Sequence, residues 1–294
     1  YSVFMKKDSI YISICSRGIN KNFFNLLRCI YKNSLNNKIK IKVIIVFNHA
    51  KIIKEFQKMK ITKNLKSVNY KIIYEQKLGI SNVRNKSLSY LKDRDFDYCC
   101  FLDDDCKINS NFILNHLKFI KKNNCNIVSG PQIYTSTKPF LKVFERNYPQ
   151  GKKIYWASTN NVFFKKKILK NKINFSKKVS KYGYGEDQLF FSKMSKNGEV
   201  IKWNKNPVYE ITDKNRESYS WFVMRNFNYG LTGILIDKEL YNFFTAYLLN
   251  ILKAFLNLIL SIIYFFFIPL DKNKNLFKSI AFFIRFLGRI KNII

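Results

Sequence analysis

Three consecutive aspartates, Asp103-Asp104-Asp105, stand directly after the apolar run Tyr98-Cys99-Cys100-Phe101-Leu102. That run is short and aromatic-rich and follows the charged segment Asp93-Arg94-Asp95, so it reads as a buried strand. Adjacent carboxylates at a strand end repel one another and resist burial until a cation neutralises them. A divalent ion that prefers hard oxygen ligands, Mg²⁺ or Mn²⁺, meets that need, and such ions keep coordination sites open for substrate phosphates. The residues by themselves also allow a solvated acidic turn ahead of the helix that begins near Asn111.

A second acidic string lies further on, Tyr182-Gly183-Tyr184-Gly185-Glu186-Asp187-Gln188-Leu189-Phe190-Phe191. Two glycines release the backbone, and Glu186 and Asp187 then occupy the first turn of a helix running to about Lys196. Acidic residues favour helix N-termini by about 0.3–1 kcal/mol through the dipole. That accounts for one carboxylate, but not for the Gly- and Tyr-rich loop before it, which has the composition of a mobile substrate lid.

The elements that must position these strings alternate between strand and helix. Residues 10–15 and 41–47 are apolar strand runs, separated by a helical pattern of Phe23, Phe24, Leu27, Ile30 and Tyr31. Residues 52–59 read as a helix, 71–74 as a strand, 80–91 as a helix and 99–102 as the next strand. The helix 111–122 and the strand 126–129 follow, the latter closed by Gly130-Pro131. This rhythm implies an α/β fold with a doubly wound, mostly parallel sheet, whose ligands bind at the carboxyl ends of strands. Residues 132–156 read as a long excursion beside the site. Neither a G-x-G-x-x-G nor a G-x-x-x-x-G-K-[ST] motif is present, which argues against a dinucleotide site or a P-loop.

The chain has 294 residues, with 53 Lys+Arg against 19 Asp+Glu and a net charge of +34. Such a field attracts polyanions: nucleic acid, anionic lipid or a diphosphate-bearing substrate. The Lys, Asn, Ile and Phe enrichment is also the bias of an AT-rich genome, and the lysines are spread along the chain, so no nucleic-acid partner is expected. The six cysteines show no C-x-x-C spacing and fit a reducing cytoplasm. The histidines are His49 and His116 alone. His116 falls in a helical pattern as a surface or packing residue, which leaves little for a Ser-His-Asp or zinc mechanism. Residues 1–10 carry charges and no long apolar stretch, so no secretory leader is expected there.

Towards the C-terminus, residues 241–270 hold one charge, Lys253, among Phe, Leu, Ile and Tyr. The length suits a membrane helix of about 20 residues. Asn242, Ala246, Asn250, Lys253, Asn257 and Ser261 nevertheless recur every three or four positions as a narrow polar stripe. After a turn at 271–275, a basic helix over 276–294 carries Lys278, Arg285, Arg289 and Lys291. A hairpin lying in the inner leaflet fits this pattern better than a span, because a span would place the basic helix outside. A helical pair packed on the preceding domain is the soluble alternative.

The string Leu78-Gly79-Ile80-Ser81-Asn82-Val83-Arg84-Asn85-Lys86-Ser87-Leu88 resembles the Gly-x-Ser-x-x-Arg-Asn-x-x-Leu segment of inverting family 2 glycosyltransferases. Phe101 to Asp105 resembles their acidic metal motif, Asn160-Asn161-Val162-Phe163-Phe164 their strand before the acceptor site, and Gly185-Glu186-Asp187 their catalytic Glu-Asp. Gly185 to Phe191 with Gly198, Trp203, Val208 to Glu210, Arg216, Trp221, Arg225 and Gly230 is similar to the succinoglycan-biosynthesis glucosyltransferase branch. The resemblance covers roughly residues 8–235. It implies a GT-A fold, a nucleotide-sugar donor, most readily a UDP-sugar, and direct displacement with inversion at the anomeric carbon.

By the same resemblance Asp105, with Asp103, ligates Mg²⁺ or Mn²⁺, and Asp103 and Asp104 hold ribose or water ligands. Arg84 contacts the nucleotide, Asp187 is the base, and Glu186 positions the acceptor or the base. Arg225 neutralises the leaving diphosphate, as the guanidinium fork suits phosphate. Two strand ends depart from the pattern. The first runs Ser13-Ile14-Cys15-Ser16-Arg17, so Ser16 stands at the nucleotide side. The second runs Val46-Phe47-Asn48-His49, with Phe47 where a base-reading Asp is expected, which leaves the base to Asn48 or His49. The implied organisation is a transferase domain over 1–235 and a membrane-associated region over 236–294. The implied role is transfer of a hexose to a polyprenyl-diphosphate-linked saccharide at the cytoplasmic face of a bacterial inner membrane, in surface polysaccharide synthesis. Two other readings remain: a nucleotidyltransferase of related fold, for which Ser16-Arg17-Gly18 is a faint phosphate loop, and a non-catalytic basic module that binds membrane or nucleic acid.

Overall fold

The computed structural model describes residues 7–36, 38–58 and 69–291. In chain order the elements that place the site are β1 (Asp8–Ser16), α1 (Lys21–Ser34), β2 (Ile39–Phe47), α2 (Ala50–Lys58), β3 (Tyr70–Tyr74), α3 (Ile80–Lys92), β4 (Tyr98–Asp103), β5 (Cys106–Lys107) and α4 (Phe112–Lys122). There follow β6 (Ile127–Ser129), β7 (Gln132–Tyr134), β8 (Lys153–Ile154), β9 (Val162–Lys165), α5 (Lys177–Ser180), α6 (Glu186–Lys196), β10 (Ile201–Trp203) and β11 (Val208–Glu210). Three long helices close the described chain: α7 (Tyr219–Leu240), α8 (Phe243–Phe266) and α9 (Lys272–Ile290).

The large sheet has the order β3-β2-β1-β4-β9-β6-β10-β8. β1 is parallel to both β2 and β4, while β9 and β8 run against their neighbours. β1 thus sits where the strand order reverses, the place at which such sheets open a crevice at their carboxyl ends. Period-two alternation decides which face each residue serves. Ile10, Ile12 and Ile14 of β1, with Cys100 and Leu102 of β4, pack under α1 and α4. Tyr11, Cys99 and Phe101 face α3 and α6 instead. The sheet is therefore covered on both sides, as the alternating pattern implies. A smaller sheet, β5-β11-β7, stands beside it.

Two details differ from the pattern-based reading. Residues 132–156 hold β7, β8 and a 3₁₀ segment, Pro139–Phe144; strands of two or three residues show no periodicity to read. The turn expected at 271–275 is instead the first turn of α9, because Asp271 caps it by accepting from Lys274 N–H at 3.1 Å. The position 235/236 falls inside the continuous helix α7. Met59 and residues 292–294, taken as helix ends, and most of the charged segment 1–10 lie outside the described residues.

The C-terminal helices pack on one another and on the 3₁₀ segment Pro139–Phe144. α9 crosses α7 at Gly230 and Gly288, where a Cβ on Gly230 would lie 2.7 Å from the Gly288 Cα. Only hydrogen in place of side chains permits that approach. The polar stripe of α8 faces inward. Lys253 Nζ is 2.6 Å from Asp237 Oδ1 on α7, Asn250 Oδ1 accepts from Arg289 at 2.7 Å, and Ser261 exchanges hydroxyl-to-carbonyl bonds of 2.9 Å with Ser279. The apolar face of α8 points out, with Phe244 77% and Phe255 59% exposed.

Candidate active site

Alternation along β4 carries past Leu102. Asp103 follows Cys99 and Phe101 onto the face where α3 packs, and α3 presents Val83, Arg84, Ser87, Leu88 and Leu91 as its buried stripe. Arg84 consequently meets Asp103, with Nη2 3.5 Å from Oδ1. The first turn of α6 docks alongside, and Arg84 Nη1 forms a second, very close ion pair with Glu186 Oε1. One guanidinium thus links the two acidic strings across the cleft.

Gly185 makes the docking of α6 possible. Its φ of +93° is a conformation that favours glycine, and a Cβ there would press within 3.1 Å of Ile236 Cδ1 and 3.2 Å of Val179 Cγ1. Directly after it, Glu186 turns inward and is 4% exposed. Asp187 is half-buried and lines the cleft, with Oδ1 accepting from Gln188 N–H at 2.7 Å. It forms no ion pair among the described residues.

Asp104 and Asp105 occupy the turn after β4. Asp104 Oδ2 lies 2.5 Å from the Ser16 hydroxyl at the end of β1, which also lies 2.5 Å from Gly18 O. Asp105 Oδ2 is 3.4 Å from Arg216 Nη1, and the same nitrogen is 2.8 Å from Glu210 Oε1. The small sheet creates this second cluster, since β11 pairs with β5 and sets Glu210 opposite Cys106. Gln132 on β7 also reaches Glu210.

The crowding shows in the acid strengths. Burial, with Glu210 and Asp103 nearby, pushes the Asp105 carboxyl up to about 8 against the pull of Arg216. Glu186 is pushed up to about 7 by burial and Asp187, against Arg84. Asp103, Asp104 and Glu210 are raised as well, in each case chiefly by burial. Hard oxygen donors whose charge is disfavoured by burial and by one another fit a divalent cation, which removes their excess charge when it binds. Among the described residues no three such side chains converge on one point. Asp103 and Asp105 are the carboxylates at this strand end that could serve a cation, each paired with an arginine in its absence.

The cleft occupies about 1290 Å³. Its other wall is cationic and aromatic. Arg146 stacks on Trp156, the guanidinium carbon 3.7 Å from the ring centroid, and donates to Ser158 Oγ at 3.1 Å. Arg225 lies against Phe144, Tyr184, Trp221 and Tyr229 and donates Nε to Tyr229 OH at 2.9 Å.

A model of glycosyl transferase family 2 matches residues 20–182, more than half of the chain and inclusive of Arg84 and Asp103–Asp105. The chain belongs to this family. The matched stretch stops short of Glu186 and Asp187, which the fold nevertheless brings to the same cleft. No curated protein sequence matches the chain. Among solved structures, S. aureus TarS 1–349 in complex with UDP-GlcNAc is similar with a TM-score of 0.57 at 17% identity, over 80% of this chain and 67% of that one. A longer S. aureus TarS structure is similar over 85% of this chain and 43% of its own, also at TM-score 0.57 and 17% identity. The mannosyltransferase PcManGT from Pyrobaculum calidifontis, in complex with GDP-Man and Mn²⁺, has a TM-score of 0.55 at 12% identity, over 77% of this chain and 63% of that one. At such identities the likeness is one of fold, a GT-A-like α/β architecture around a central sheet. The chain spans between 43% and 67% of the length of these structures.

Of the residues singled out in the sequence of this family 2 member, Arg84, Asp103, Asp104, Asp105, Glu186, Asp187 and Arg225 line one cleft. Ser16 touches it through Asp104. Asn48 does not line it: its amide donates to Glu75 O at 3.0 Å and Lys77 O at 2.9 Å, tying down the segment after β3. His49 is exposed. His116 is a packing residue, fully buried between Asn161 and Asn204, and burial pushes its pKa down to about 3. Motif reading missed Arg146 and Trp156, and gave Glu210 and Arg216 no task.

Arg84 carries a stability prediction. Replacing it with Met leaves Glu186 and Asp103 without their shared cation, a loss of about 3–5 kcal/mol for a buried pair broken on one side. The pH dependence has a definite sign. The Glu186 pKa of about 7 lies above the ordinary carboxylate value, so its proton-holding contribution is complete on the acid side and is lost as pH rises through that value. Removing Arg84 raises the pKa further. Thermal melts should therefore show a deficit that is large at about pH 9 and shrinks towards about pH 5. A deficit independent of pH would mean that Arg84 acts through packing alone.

Proposed function

We propose that the chain is an inverting, metal-dependent glycosyltransferase that moves a hexose from a nucleoside-diphosphate sugar, a UDP-sugar in the first instance, to a lipid-linked saccharide. The observation that carries this reading is the pairing of two acidic centres in one cleft, Asp103 to Asp105 on one side and Glu186 with Asp187 on the other, joined by Arg84. Displacement at an anomeric carbon asks for both: charge neutralisation where the diphosphate departs, and a carboxylate where the acceptor hydroxyl loses its proton. The complexes of the fold relatives with UDP-GlcNAc and with GDP-Man and Mn²⁺ support a nucleotide-sugar donor and a divalent ion.

In this reading Asp187 accepts the acceptor proton as the oxygen attacks the anomeric carbon and the bond to the diphosphate breaks on the opposite face. Glu186, fixed by Arg84, holds the α6 terminus in place. Asp103 and Asp105 hold Mg²⁺ or Mn²⁺, which when bound supplies positive charge to the diphosphate. Arg225 meets the departing charge, and Asp104 and Ser16 form the ribose side. The string from Gly185 to Gly230 supports the succinoglycan-like branch by resemblance.

Helix α8 supports the choice of acceptor and location. By length and composition this helix is apolar enough to cross a membrane, with a mean hydropathy of 2.0. Its polar side is committed to α7 and α9, so lipid is the natural neighbour of the exposed face. A polyprenyl-diphosphate carrier at the cytoplasmic leaflet of a bacterial inner membrane, used in surface polysaccharide synthesis, suits that arrangement.

The test uses membranes from cells expressing the whole chain, washed in high salt and supplied with a panel of nucleotide sugars. Nucleoside diphosphate should be released by the pellet from one donor class, because apolar burial resists screening. Release of pyrophosphate instead would assign a nucleotidyltransferase, and silence on every donor would leave a binding module. Activity recovered in the soluble fraction would remove the membrane from the reading.

A further inference from the structure

Four guanidinium groups that line the cleft, those of Arg17, Arg146, Arg225 and Arg285, form no ion pair among the described residues. Arg84 is met by Glu186 and Asp103, Arg216 by Glu210 and Asp105, and Arg289 by Asp237 at 3.8 Å. Of the four unpaired groups, Arg225 on α7 and Arg285 on α9 each commit Nε to a neutral acceptor: Arg225 to Tyr229 OH at 2.9 Å and Arg285 to Asn226 Oδ1 at 2.8 Å. Their terminal nitrogens bond nothing in the described structure. Both guanidinium carbons lie 5.5 Å from the centroid of the Tyr229 ring, so two cations share one aromatic.

Arg289 follows Arg285 by one helical turn, on the same side of α9 and lining the same cleft. Burial lowers the Arg285 pKa to about 10, with the repulsion of Arg225 and Arg289 adding to it and Tyr229 opposing. Gathering half-buried cations is costly unless an anion completes the group. The planar fork with a free pair of terminal nitrogens matches phosphate geometry.

The position tells which phosphate. Arg216 is tied to the aspartate turn through Asp105, whereas Arg285 belongs to α9, the helix on which α8 rests with its apolar face outward. We propose that Arg285, flanked by Arg289 on α9, forms a phosphate subsite for a phosphate carried by the acceptor, separate from the site of the donor diphosphate. This deepens the lipid-linked acceptor reading and rests on it for the source of the phosphate.

The experiment measures binding of farnesyl diphosphate, inorganic pyrophosphate and UDP to the full chain in detergent micelles. Arg285→Gln should weaken farnesyl diphosphate and pyrophosphate by about ten- to a hundredfold, as for loss of a charge-assisted bond, and leave UDP within about twofold. Arg285→Lys should restore part of the loss. Should the Gln variant fold poorly, phenylglyoxal labelling of the unaltered protein gives the same answer, with Arg285 protected by farnesyl diphosphate and not by UDP. Equal weakening of UDP, or protection by UDP, would place Arg285 in the donor site and overturn the proposal, as would no change for any ligand. Farnesyl diphosphate binding no tighter than pyrophosphate, with both lost in the variant, would uphold the subsite and sink the lipid carrier.

Discussion

Asp187→Asn is expected to lower sugar transfer by about two to four orders of magnitude, the range of a positioned general base, while leaving donor affinity within a few-fold. Two features of the cleft separate this carboxylate from its neighbour. Asp187 lies at the rim of the α6 terminus with one oxygen bonded to Gln188 N–H and no ion pair among the described residues. An amide oxygen can keep that bond, and the lost charge–dipole attraction costs about 0.3–1 kcal/mol, so the variant should remain folded. Glu186 is buried and held by Arg84, so Glu186→Gln should lower stability first and turnover less. The measurement is turnover and donor binding on folded protein, with melts run alongside. Loss of donor binding, or collapse of the Asp187→Asn variant, would assign Asp187 to helix capping and take the base out of the mechanism.

Much of this arrangement could be read from the chain, and the parts that could not share a cause. The period of β4 put Asp103 at a strand end, and its alternation places the carboxylate on the α3 face. The Arg84 segment was legible as a motif, but its partner was not. Glu186 lies 102 residues away and meets Arg84 only because Gly185 lets α6 dock beside α3. Asn48 shows the reverse: it stands at a strand end where a nucleotide contact is expected, yet two backbone carbonyls occupy its amide. Arg146 stacks on Trp156, ten positions on, within a stretch whose strands are too short to show a period. The polar stripe of α8 was visible as spacing. Which way it faces depends on Asp237 and Arg289, contributed by two other helices.

Asp105→Asn should reduce donor turnover by about 10²–10³, the usual cost of removing one electrostatic contact to developing charge, and EDTA should mimic it, with Mg²⁺ or Mn²⁺ restoring only the unaltered protein. Stability should move the other way. Asp105 shares the single guanidinium of Arg216 with Glu210, so in the absence of a cation its charge is a burden on the fold. Asparagine keeps the shape and drops the charge. The metal-free variant should therefore melt no lower than the metal-free unaltered protein. Added Mn²⁺ should raise the melting temperature of the unaltered protein, as any ligand of the folded state does, and that of the variant much less. The combination is what distinguishes a ligand from a structural acid, because an aspartate that merely capped the turn would lose stability on substitution. Full turnover after chelation, or an equal Mn²⁺ shift in both proteins, would leave neutralisation of the diphosphate to Arg216 and Arg225 alone.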